Sequence, residues 1–204
     1  MQNNHRHSQN LSRAQGQVLV KLARQTLMER LGKQIPQAEI DSLENALKDA
    51  CFEALCGTFV TLKINDQLRG CIGNLTSDTP LASGVRRNAI NAAFHDPRFT
   101  PLDNSELDQV EIEISVLSEP QPLKYRDGDD LIKKLRPLID GVIIRKAHAS
   151  ATFLPQVWEQ LPRPQDFLSH LCMKAGLAAD SWKNADLEVS TYQVQYFEEP
   201  GGQS

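Results

Sequence analysis

From Ser12 onward the apolar positions Val18, Leu19, Leu22, Ala23 and Leu27 recur at the spacing that lays one stripe along a helix, until Gly32 ends the pattern. Ser12 followed by Gln15 has the form of a capping box, and Gly32 has the form of a helix stop. A second, short helix is expected over 41–50. The segment 58–64 is β-branched and apolar, Asn65-Asp66 offers turn chemistry, and 67–72 follows, so the pattern predicts a hairpin ending near Cys71. Thr79-Pro80 then opens a helix with Leu81, Val85, Ala89 and Ala92 on one face, closed before Pro97.

In the second half, Val110, Ile112, Ile114 and Val116 alternate with Glu111, Glu113 and Ser115, which predicts a strand with one buried and one wet face. Beyond a loop at Pro120 and Pro122, the chain reads as a helix over 129–135, short strands over 142–145 and 151–154, and a helix over 165–175 stopped by Gly176. Residues 187–197 read as one closing strand. Helices and hairpins are mixed rather than strictly alternating, so the expected fold is α+β, a mixed or antiparallel sheet with covering helices, with an arrangement in two lobes around a cleft left open by the pattern. The boundaries expected are a disordered tail over 1–11, one domain over 12–199 and a second tail over 200–204.

Composition narrows the function classes. A 204-residue chain with a formal net charge of -4 and no dense Lys/Arg block is a poor match for a phosphate backbone, so no nucleic acid partner is expected. No apolar run approaches the roughly 20 residues of a membrane span, and the polar 1–10 segment lacks the core of a signal peptide. The chain is therefore expected in the cytoplasm, without a membrane partner. Cys51, Cys56, Cys71 and Cys172 read as thiols rather than a disulfide framework, and their spacing offers no zinc motif; no metal or other cofactor is expected.

Arg69-Gly70-Cys71-Ile72-Gly73-Asn74 carries the sharpest candidate chemistry. A thiol between two glycines is a candidate nucleophile if the turn's N–H groups, together with Arg69, face an anion. Gly70, Gly73 and Asn74 are then candidate binding positions. The plainer reading makes Cys71 a small packed residue, with both glycines serving a bulge or turn. In His95-Asp96-Pro97-Arg98-Phe99, His95 is a candidate general base and Arg98 a candidate anion clamp, or both simply favour a helix C-terminus. A third segment, 151–158, offers Thr152 and Gln156 as candidate binding side chains, although a strand-to-helix junction in the core accounts for it equally well. His5, His7, His148 and His170 have no evident partners.

Leu68-Arg69-Gly70-Cys71-Ile72-Gly73, Asp96-Pro97-Arg98-Phe99, Ile114-Ser115-Val116-Leu117, the 151–158 segment, and Phe167-Leu168 with Leu171-Cys172-Met173-Lys174-Ala175-Gly176 together resemble the AMMECR1 domain family, in order and spacing, from about Ser12 to Glu199. The resemblance implies an α+β unit with a larger and a smaller lobe, and places the family signature on Arg69, Gly70, Cys71, Ile72 and Gly73. It does not extend to His95. It fixes no reaction, leaving three readings: a small cytosolic enzyme or modification-system component centred on Cys71, a non-catalytic scaffold, or a small-molecule module that binds anions. The matching bacterial label, AmmeMemoRadiSam system protein A, implies a Memo-family protein and a radical-SAM protein as partners.

Overall fold

The structure is a computed structural model describing residues 10–76 and 78–199. His5 and His7, most of the tail expected over 1–11, and the tail over 200–204 lie outside the described residues. Leu11, assigned to that tail, is buried, and its backbone exchanges hydrogen bonds with the Gln195 side chain.

The chain divides into two compact units, the first made of residues up to Leu117 together with those from Gln195 on, the second of Ser118–Val194. In the first unit, α1 (Arg13–Arg30), α2 (Gln37–Ala46) and α3 (Leu81–Phe94) accompany β1 (Thr58–Ile64), β2 (Gln67–Asn74), β3 (Glu111–Leu117) and β8 (Val194–Glu198), which form an antiparallel sheet in the order β2-β1-β3-β8. The capping box forms as the sequence predicts: Gln15 N–H donates to the Ser12 hydroxyl, and Ser12 N–H donates to the Gln15 side chain. Leu19, Leu22, Ala23 and Leu27 of α1 are buried with Val85, Ala89 and Ala92 of α3 and with Val60, Leu62, Ile112 and Ile114 of the sheet. Each of the Leu, Val and Ile side chains contributes about 1.5–3 kcal/mol on burial. The second helix sits four residues earlier than expected, directly after Pro36, and Ala50–Glu53 forms a separate short turn of helix capped by Asp49.

The second unit holds β4 (Gln121–Pro122), α4 (Gly128–Lys134), β5 (Gly141–Lys146), β6 (Ala149–Phe153), α5 (Val157–Gln160), α6 (Pro164–Lys174) and β7 (Glu188–Tyr192), its sheet running β4-β7-β5-β6. Trp158 and Phe167 stack face to face with ring centroids 3.7 Å apart, inside a core that includes Val142, Ile144, Leu131, Leu171 and Cys172. The helix over 164–174 ends at Gly176, which adopts a φ of +77° open to glycine.

Three expectations are corrected. The closing strand is two strands in different sheets, because Gln193 is held by Ser118: the Gln193 N–H donates to the Ser118 hydroxyl, and the Ser118 N–H donates to the Gln193 carbonyl. The loop at Pro120 and Pro122 contributes a two-residue strand against β7. The expected wet face of β3 is exposed only at Glu111: Glu113 is 9% exposed and Ser115 3% exposed. β3 lies between β1 and β8, and Glu113 tolerates burial because Lys63 on β1 places Nζ 2.9 Å from its carboxylate.

Candidate functional site

Cys71 lies mid-strand rather than in a turn. Asn65 and Asp66 both take positive φ, at 50° and 60°, which is the backbone of a two-residue hairpin turn whose twist suits the flanking strands. Pairing starts as Ile64 with Gln67 and Lys63 with Leu68, then slips by one residue, so that Leu62 faces Gly70 and Thr61 faces Cys71. Arg69 is the extra residue of this bulge, and bulges re-aim a side chain out of the ladder. Its guanidinium makes a two-pronged pair with Glu106, Nε and Nη2 lying 2.7 and 2.8 Å from the two carboxylate oxygens. The remaining nitrogen, Nη1, is buried without a hydrogen-bond partner.

Thr61 also faces Glu113 across the next strand. Directly opposed residues of antiparallel strands project to the same side, so Cys71, Thr61 and Glu113 form one row across the sheet, with Lys63 diagonal to it. The Thr61 hydroxyl donates to Cys71 Sγ at 3.3 Å, and Cys71 is half-buried. In the neighbouring row, Gly73 opposes Phe59; a Cβ at Gly73 would stand 2.3 Å from that ring and from the Thr58 carbonyl oxygen. On the opposite face, a Cβ at Gly70 would stand 2.1 Å from the Ala92 carbonyl oxygen of α3. Both signature glycines are thus required by close approach, one to a ring and one to a helix.

The free edge of β2 is clasped by the segment after α3. Asp96, 4% exposed, accepts the Cys71 N–H at 2.9 Å and the Arg98 N–H at 3.1 Å. Arg98 returns to the same strand, Nη2 donating to the Cys71 carbonyl at 3.2 Å. Bonding to the Arg98 side chain, then to the Cys71 and Arg98 amides, holds the Asp96 carboxyl well below the usual carboxylate range. This clasp revises two expectations. The Cys71 amide is committed to Asp96 and is not free to bind an oxyanion, and with Arg69 separately committed to Glu106 the expected anion-facing set is reduced further.

His95, the candidate general base, makes no hydrogen bond to the Cys71 sulfur among the described residues. His95 is the C-cap of α3, exposed, and its Nδ1 lies 3.1 Å from the Asn91 side chain, while the Cys71 sulfur takes Thr61. Asn74 ends β2 and is exposed. Thr152 and Gln156 belong to the second unit: the Thr152 hydroxyl donates to the Val142 carbonyl at 3.0 Å and lies 3.0 Å from the Tyr192 hydroxyl, and Gln156 is an exposed N-cap of α5. Burial pushes the Tyr192 hydroxyl up to about 12.

Burial likewise pushes the Cys51 and Cys56 thiols up to about 11 and raises Cys172. Among the described residues no group of three His, Cys, Asp or Glu side chains could hold a metal ion, and no helix is long and apolar enough to cross a membrane. Thr61, Lys63, Glu113, Asp96 and Glu106 are the site's unforeseen members. Asp96 carried a signal, standing two residues before Arg98 in a motif already singled out; the others are placed by register and by long-range pairing.

The AMMECR1 family model matches residues 20–197. A protein of Methanothermobacter thermautotrophicus is 37% identical over 196 residues, covering 94% of this chain and 97% of its own. Protein MK0488 of Methanopyrus kandleri is 37% identical over 199 residues, covering 93% and 90%. The crystal structure of the uncharacterized protein PH0010 from Pyrococcus horikoshii matches with a TM-score of 0.74 at 33% identity, over 93% of each chain.

Proposed function

The chain belongs to the AMMECR1 family, and on that premise we propose that it is a small cytoplasmic enzyme or modification-system component whose reacting group is the Cys71 thiol. The observation that carries this reading is the row Cys71–Thr61–Glu113 on one sheet face, in which a hydroxyl donates to a half-buried sulfur. Bulge, glycines and clasp hold the strand beneath that sulfur from three sides, and a group fixed in position loses less freedom on meeting a substrate. The test is the iodoacetamide alkylation rate of each cysteine in the folded protein, read by mass spectrometry with Cys71→Ser assigning the signal. Cys71 reacts faster than Cys51, Cys56 and Cys172 at neutral pH, since burial raises those three thiols and depletes their thiolate. A Cys71 as slow as the other three defeats the reading.

A second role, docking onto a Memo-family or radical-SAM protein, draws support from the second unit. Leu138 and Ile139 are 63% and 50% exposed, and Leu138 is held at a φ of +65°, a conformation that costs a branched residue on the order of 1 kcal/mol. Arg136 and Asp140 brace this loop from either side, with Nη2 and Oδ1 2.6 Å apart. Replacing both apolar residues by Glu abolishes pull-down of such a partner while leaving Cys71 alkylation intact; unchanged pull-down removes the loop from the interface.

A further inference from the structure

Resting on the thiol-site reading, we propose that Arg98 makes the Cys71 site selective for small substrates that carry an oxyanion, a carboxylate or a phosphate. The guanidinium is fixed along one edge, Nε and Nη2 donating to Asp96 at 3.0 and 2.7 Å and Nη2 also donating to the Cys71 carbonyl. Among the described residues its Nη1 makes no hydrogen bond. The carboxylate of this pair is buried and the Arg98 side chain is 53% exposed, so the pair turns its positive end to solvent. Nothing in the clasp uses that end.

A second guanidinium, its charge paired with Glu106, stands at the same place. Arg98 lies over the Phe99 ring at 5.5 Å and Arg69 lies 5.9 Å from the same ring, so one aromatic side chain carries two guanidinium groups next to the strand that holds Cys71. Arg69 also keeps its buried Nη1 unpaired. Hydrogen bonding to Asp96 is the main cause raising the Arg98 pKa, so the guanidinium stays charged where it meets the Cys71 carbonyl. The N–H groups of the free Arg98 Nη1, charge-assisted and beside a fixed sulfur, suit an oxyanion better than a neutral group. A substrate anchored through its anion then meets the thiol without any help from the Cys71 amide, which Asp96 occupies.

The experiment compares iodoacetate with iodoacetamide on the full chain at low ionic strength. In both reactions a sulfur–carbon bond forms, iodide leaves and the thiol proton passes to solvent, so the two probes differ only in the charge they bring. The rate ratio at Cys71 is normalised to the same ratio in the denatured protein. Folded wild type favours iodoacetate by about threefold or more, Arg98→Gln returns the ratio to the denatured value, Arg98→Lys retains part of it, and added salt collapses it. A wild-type ratio equal to the denatured one, or one unchanged in Arg98→Gln, overturns the proposal. Should Arg98→Gln fail to fold, protection of wild-type Cys71 from iodoacetamide by inorganic phosphate decides instead: protection supports the proposal and its absence overturns it. If Cys71 reacts rapidly with iodoacetamide but shows no preference for charge, only this proposal falls. If it reacts with neither reagent, the thiol-site reading falls with it.

Discussion

Asp96 does more for the candidate site than any residue singled out by its chemistry alone. Its carboxylate joins the Cys71 amide to the Arg98 side chain, and this pairing gives the site a defined acid limit. A carboxyl whose folded value is depressed contributes stability that is full above its ordinary value of 3.8 and is lost as pH falls below it toward the folded value. Wild-type protein therefore loses stability steeply below about pH 4, and Asp96→Asn flattens that dependence while costing on the order of 2 kcal/mol at neutral pH. Denaturant titrations at neutral pH and at acid pH check both effects; parallel pH curves for the two proteins contradict them. The sequence displays Asp96 next to proline, where it reads as turn chemistry, and a link from residue 96 to the amide of residue 71 is invisible until the strand and helix are packed.

At the scale of elements, the hairpin was legible down to its turn but not in its register. Counting outward from Asn65-Asp66 without a bulge opposes Thr61 to Gly70 and sets Cys71 against Val60, on the core side. The slip at Arg69 turns the thiol to the other face. The flanking glycines signal a bulge or turn, but nothing local fixes its position at Arg69, where it is maintained by Glu106 pairing with Arg69 and by α3 lying against Gly70. The same limit explains β3, where alternation correctly located the strand but the salt bridge from Lys63 allowed a carboxylate into a buried row. Helices over 13–30, 81–94 and 164–174 were legible because stripe, start and stop signals agree. The packing of α3 on β2 supplies a direct check: Gly70→Ala brings a methyl group onto a backbone oxygen that cannot step aside, and destabilises the protein by about 3 kcal/mol in denaturant unfolding. A loss below about 1 kcal/mol means that the helix does not constrain the strand.

Across the whole molecule, the first unit is completed by the end of the chain, which returns to it after the second unit has been built. Phe197 of β8 occupies the space that Gly16 of α1 leaves open, where a Cβ would stand 1.9 Å from the ring. Glu199 accepts the Ile112 N–H at 3.1 Å and Arg24 Nε at 2.8 Å, tying β3 and α1 to the returning segment. Removing residues from Val194 onward exposes one edge of β3 and empties this space, so hydrogen exchange protection falls across α1 and β3 while β5 and α6 keep theirs. Equal loss in both sets of elements contradicts the division into two units. The pattern of polar and apolar positions could not announce this return, since β7 and β8 form one unbroken β-rich run and the change of sheet turns on Ser118 and Gln193.

The contact between Thr61 and Cys71 is the most direct point at which to test the thiol site. Thr61→Val keeps the β-branched shape and removes only the hydroxyl that donates to sulfur. The measurement is the iodoacetamide alkylation rate of Cys71 at neutral pH in wild type and Thr61→Val, with unfolding curves confirming that both proteins are folded. Loss of one such bond slows Cys71 by about fivefold, corresponding to ~1 kcal/mol, and leaves Cys51, Cys56 and Cys172 unchanged. An equal Cys71 rate in the two folded proteins contradicts the account, because the row across the sheet would then contribute nothing to the thiol's chemistry.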